Sequence, residues 1–70
     1  MDEWDAEIML ALADNDMNIT KASRVLYVHR NTVEYHIRKV KLSTGLDPTN
    51  FYDLCKLLQM IKRKKKGVVE

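Results

Sequence analysis

Between Asn18 and Val40 the sequence NITKASRVLYVHRNTVEYHIRKV carries two apolar stripes of helical period, broken once. Ile19, Ala22, Val25 and Leu26 form the first, at the i, i+3, i+4 spacing of one helix face. Asn18 precedes it as an N-cap, since its side-chain oxygen can accept from the free N–H groups of the next turn. Tyr27-Val28-His29 interrupts the rhythm, and a second stripe runs through Val33, Ile37 and Val40. Opposite that second stripe lie Asn31, Glu34, Tyr35 and Arg38. Two short helices joined by a tight turn are therefore expected. The second buries aliphatics on one side and shows Asn, Tyr and Arg on the other, side chains suited to the edges of a DNA major groove.

The rest of the chain is read as two further helices. Asp2 is placed to cap a first helix over about residues 3–15, with Trp4, Ile8, Ala11 and Leu12 on its inner face and Met9 and Leu10 pointing elsewhere. Early acids suit the positive end of its dipole. Asn15-Asp16 should end it, because both tolerate the left-handed conformation. The Asn18 helix spans about 19–27 and the next about 30–44, closed by Gly45 at the left-handed position, with Leu46 folding back. A fourth helix over about 50–65 starts after Asp47-Pro48-Thr49-Asn50, with Pro48 in its first turn and several candidate caps. Phe51, Leu54, Leu57, Leu58 and Ile61 give it a broad apolar face. The expected fold is an all-α, four-helix domain over 1–66, with basic Lys62 to Lys66 ending the last helix and 67–70 a frayed tail.

Seventy residues make one small domain, which buries only about 60% of its unfolded surface. Apolar arcs this wide then suggest a second subunit; Trp4, Leu10, Leu54, Leu57 and Ile61 are the expected contacts of a homodimer. Cys55 is the single cysteine, so no internal disulfide forms, and its apolar surroundings suit a buried thiol. The composition fits a reducing cytoplasm; no signal peptide and no membrane span is expected.

Several site readings fail on spacing. Asp14-Asn15-Asp16-Met17-Asn18 begins like a calcium loop, but Ile19 stands where the turn needs Gly and Val25 where a bidentate Glu belongs. Asn18-Ile19-Thr20 matches a glycosylation sequon, yet Asn18 is better explained as a cap. His29 and His36 are about 10.5 Å apart along a helix, too far to share an ion, and neither has an acid or Cys at i+3 or i+4. His29 is instead read as a cap of the third helix or a phosphate contact, and His36 as the edge of the buried arc. No glycine-rich loop, nucleophile motif or paired-acid signature supports an enzyme, and no cofactor or metal is expected.

The formal net charge of +2 hides an asymmetry. Residues 1–16 hold Asp2, Glu3, Asp5, Glu7, Asp14 and Asp16 with no Lys or Arg. Residues 21–41 hold Lys21, Arg24, Arg30, Arg38, Lys39 and Lys41 against Glu34 alone. Separation of this kind gives one face a field that attracts phosphate.

HRNTVEYHIRKV followed by STGLDP resembles the C-terminal helix-turn-helix of PucR/CdaR-type bacterial transcription regulators, and its core is similar to the DNA-binding helices of the Fis protein. The likeness covers roughly Leu10 to Ile61. It departs at Tyr27, where many such turns carry Gly, although this family often has a bulky residue there, and at Glu34 and His36, where basic residues are common. The resemblance implies that the Ile19–Leu26 helix supports and that the Arg30–Thr44 helix enters the groove of double-stranded DNA, in a transcription regulator acting as a dimer on paired half-sites in the cytoplasm, at the nucleoid. On that footing, backbone N–H groups at the start of the third helix, with Arg30, clamp a phosphate. Asn31 and Tyr35 are the candidates for base edges, with Thr32 and Arg38 flanking them. Glu34 either accepts from cytosine or repels the backbone; Lys21, Lys39 and Lys41 serve nonspecific attraction or a solvated surface. The alternatives are a Fis-like architectural binder that bends DNA and a helical interaction module without DNA binding.

Overall fold

The first turn is fixed by a reciprocal pair of side-chain bonds. Asp2 Oδ1 accepts from the Asp5 N–H at 2.8 Å, and Asp5 Oδ2 accepts from the Asp2 N–H at 3.2 Å, a capping box that starts α1 (Glu3–Asp14). The computed structural model describes residues 1–69 in backbone and 1–61 in side chains. Asn18 starts α2 (Ile19–Leu26) by accepting from the Lys21 N–H at 2.9 Å. His29 starts α3 (Arg30–Thr44), its Nδ1 accepting from the Asn31 N–H at 3.1 Å. Gly45, at φ 76°, closes α3. The last helix is α4 (Phe51–Val69). The architecture is all-helical, as expected, and measures 34 × 24 × 20 Å.

Boundaries and faces differ from the sequence reading in several places. Asp16 and Met17, both at φ 58°, take the left-handed conformation after α1, whereas Asn15 does not. Pro48 is buried in the connection instead of lying in the first turn of α4; Asn50 is the cap, its side chain accepting from the Asp53 N–H at 3.1 Å. The Asp47 side chain accepts from both the Thr49 N–H and its hydroxyl, and this turn sets the entry angle of the helix. The backbone of α4 continues to Val69, past the expected end near residue 65 and into the span expected to fray. The readings made of the Lys62–Lys66 side chains and of Glu70 lie outside the described residues.

The core is Ile8, Met9, Leu12, Ala22, Val33, Val40 and Leu57, all fully buried, with Ile37, Leu54 and Ile61 nearly so. Met9 therefore belongs to it and does not point elsewhere, while Trp4 is exposed. On α2 the buried pair is Ala22 and Ser23, and Val25 is exposed. Ser23 passes as a small core residue because its hydroxyl donates to the Thr20 carbonyl at 2.7 Å. Leu54, Leu57 and Ile61 close over the core of a single chain, which corrects the expectation that they meet a second subunit: burying them twice is impossible. Leu10 and Leu58 are half-buried and line, with Cys55, a groove of about 390 Å³ between α1 and α4. In arrangement α1 is central. It packs on α2, α3 and α4, whereas the backbone of α4 approaches α1 and neither of the other two.

Candidate nucleic-acid interface

Helix α3 has two faces because its sequence has two periods of partner. Val33, Ile37 and Val40 lock one side onto the core. Asn31, Tyr35 and Arg38 share the opposite side and are all exposed. The same spacing continues to Leu42, which is exposed too and which the sequence reading passed over; extending the Tyr35, Arg38 rhythm by one turn finds it.

At the start of α3, His29 is the cap, so its Nδ1 is engaged by the Asn31 N–H. Arg30, Asn31 and Thr32 lie in the first turn, where the helix dipole favours an anion; the Asn31 N–H is taken by His29 Nδ1 and the Thr32 N–H donates to the His29 carbonyl at 2.9 Å. Glu34 is not an isolated negative charge: its Oε2 accepts from Arg30 Nε at 3.1 Å, one turn away. On this exposed strip the acid and its neighbour partly cancel.

The flank facing α1 is a charged cluster. His36 Nδ1 lies 2.7 Å from Asp5 Oδ1; the carboxylate accepts, so that nitrogen carries the proton. Lys39 Nζ lies 2.8 Å from Asp2 Oδ2 and 3.4 Å from Asp5 Oδ1. Hydrogen bonding to Lys39 lowers the Asp2 carboxyl from 3.8 to about 2, and the same bond raises the Lys39 ammonium above its ordinary 10.5. Trp4 stacks over His36 at 6.3 Å, and Tyr35 meets it edge-on at 5.2 Å. Lys39, expected to serve nonspecific attraction or a solvated surface, is thus drawn toward α1, with its ammonium 5.9 Å from the Tyr35 ring centre.

Asp2, Asp5 and His36 bring three ligand-type atoms within 4.8 Å of one another, a grouping that intrahelical spacing could not reveal because its acids come from α1. Their charge is met inside the chain by Lys39. On the other flank, Lys41 Nζ lies 3.8 Å from Asp47 Oδ2, and hydrogen bonds from Thr49 lower the Asp47 carboxyl. Three cations of α3 therefore have acidic partners. Among the described residues Arg38 has none, and neither have Lys21 and Arg24 on α2. Arg24, exposed in the last turn of α2, was not among the expected contacts; the signal for it was its position just before the break.

Among the described residues, no helix is long and apolar enough to cross a membrane. The pattern of the PucR C-terminal helix-turn-helix domain matches residues 6–62, most of the chain. No curated protein and no solved structure matches. The supporting α2, the turn at Tyr27 and the two-faced α3 all fall inside the matched span. Helix-turn-helix domains of this kind are DNA-binding modules of transcription regulation and not an enzyme class. This chain belongs to the PucR C-terminal helix-turn-helix family.

Proposed function

We propose that this domain binds double-stranded DNA sequence-specifically, with α3 in the major groove, as part of a transcription regulator of the cytoplasm and nucleoid. One observation carries the reading: the face of α3 opposite the core presents Asn31, Tyr35 and Arg38 together and exposed. Asn31 suits adenine and Arg38 suits guanine or phosphate; Tyr35 lies between them. Arg30 and the positive end of the α3 dipole hold a phosphate beside His29 and Thr32. Lys21 and Arg24 add nonspecific attraction. Glu34 limits it through its pairing with Arg30. A single helix covers a short stretch of bases, so the domain acts as a homodimer on paired half-sites. The surface for that pairing is the groove between α1 and α4, where Leu10, Cys55 and Leu58 remain partly open beside exposed Phe51. Selection of bound duplexes from a random pool at two salt concentrations tests the reading. It stands if a sequence is enriched at both, with weaker recovery at the higher. Recovery without enrichment supports an architectural binder, and no recovery at low salt supports an interaction module.

A further inference from the structure

Among the described residues, three other than glycine hold a left-handed backbone: Asp16, Met17 and Tyr27. Side chains with a Cβ adopt this region at a cost. At Asp16 the residue type tolerates it. At Met17 packing offsets it, since that side chain lies against the core. At Tyr27 the turn lets the Val28 N–H reach the Ser23 carbonyl at 3.0 Å and Val28 pack on the core, but among the described residues the tyrosine side chain itself contributes nothing. Its φ is 57° and ψ 41°, and its backbone N–H closes α2 on the Ser23 and Arg24 carbonyls, a task any residue with an N–H performs. Its side chain is 94% exposed, the most open of the large apolar residues, and has no hydrogen bond or ring contact among the described residues. Glycine would suit the backbone better and leave no aromatic surface in water.

A strained residue with an idle aromatic side chain points to a ligand outside the chain. Its position identifies that ligand. Tyr27 stands two residues before the His29 cap and three before Arg30, at the corner leading into the phosphate-facing end of α3. We infer that Tyr27 is a DNA-backbone contact, its phenol O–H donating to a phosphate oxygen flanking the one held by Arg30 and the α3 N-terminus. The inference rests on the DNA-binding reading above. It assigns a clamp on the far side of the turn, so that α3 is held from its entry corner as well as from its own face.

The test uses the whole chain, a mixed-sequence duplex and two variants, Tyr27→Gly and Tyr27→Phe. Tyr27→Gly should melt at a higher temperature than the parent, because the strain is relieved, and yet bind DNA about tenfold more weakly. Tyr27→Phe should keep the parental melting temperature and share that loss, because the hydroxyl is gone. The slope of log affinity against log salt should stay unchanged in both, since a neutral donor releases no counterion. Parental affinity in Tyr27→Phe overturns the hydrogen bond to phosphate, and parental affinity in both variants overturns the contact altogether. Failure of the parent itself to bind the duplex would sink the DNA-binding reading, and this inference with it.

Discussion

The imidazole of His36 on α3 donates to the carboxylate of Asp5 on α1 across 2.7 Å, and Asp5 is 97% removed from solvent. This bond joins the helix that faces the proposed ligand to the helix that organises the core. A buried carboxylate accepts such a role only if its oxygens are satisfied. Here the Asp2 N–H, His36 and Lys39 all reach it.

Asp5→Ala should therefore destabilise the domain by about 1–3 kcal/mol, since it removes the cap partner and leaves His36 without an acceptor. Urea denaturation measures this. His36→Ala alone should cost less, and the double variant less than the sum of the two. Strict additivity would show that the two side chains are neighbours without coupling.

Acid stability follows from Asp2 and Asp47. Both carboxyls are held below 3.8 in the folded state, Asp2 at about 2. A depressed folded pKa adds stability above the unfolded value, and that stability is lost as pH falls through the folded one. Unfolding should therefore become easier between about pH 4 and pH 2. Lys39, raised above 10.5, has the opposite sign: its contribution is complete below 10.5 and disappears as pH rises beyond that. Asp2→Asn retains a capping side chain but loses the charge, so the acid limb should flatten without loss of the α1 cap. Thermal melts across pH report both limbs.

Glu34→Gln should release Arg30. The pair is exposed and one turn apart, so stability should change by no more than about 0.5 kcal/mol. Nonspecific DNA binding should tighten, and the salt slope should steepen by about 0.9, the value of one added phosphate contact. A loss confined to one preferred sequence would mean that the carboxylate accepts from a base instead.

Asn31→Ala should erase sequence preference by about 1–3 kcal/mol at one base pair and leave the salt slope almost unaltered. Competition between matched and single-substituted duplexes measures it. Equal weakening on every duplex would place Asn31 on a phosphate.

Leu57→Ala should cost about 2–5 kcal/mol, because Leu57 is completely enclosed and its removal leaves a cavity. For a domain of this size that is a large part of the total. Phe51→Ala, on an exposed ring, should fold normally and weaken self-association in sedimentation experiments.

The helices and their caps were legible in the sequence because both are local. Asn18, His29 and Gly45 act within one turn of their own position. The two faces of α3 were legible because Val33, Ile37 and Val40 repeat with the helix itself. What periodicity does not give is the orientation of one helix about another. Met9 and Trp4 were exchanged on that account: α1 is apolar over a wide arc, and only its three neighbours decide which part is enclosed. Val25 lost its place to Ser23 because a hydroxyl that bonds backward to Thr20 is no longer polar toward its surroundings. The Asp5–His36 and Asp2–Lys39 pairs link positions 31 and 37 residues apart, a separation about which helical spacing says nothing.

The central placement of α1 sets how a mechanical disturbance travels. Among the described residues the backbone of α4 approaches that of α1 and not those of α2 or α3, and α1 grips α3 through Asp2 and Asp5. A push on α4 that tilts α1 is therefore transmitted to the flank of α3 at His36 and Lys39, and the short connection from Gly45 to Asn50 offers the other route. The first turn of α1 works as the fulcrum of that lever. The 31 residues of chain between Asp5 and His36 are irrelevant to the transmission, which crosses the fold through the Asp5–His36 and Asp2–Lys39 bonds.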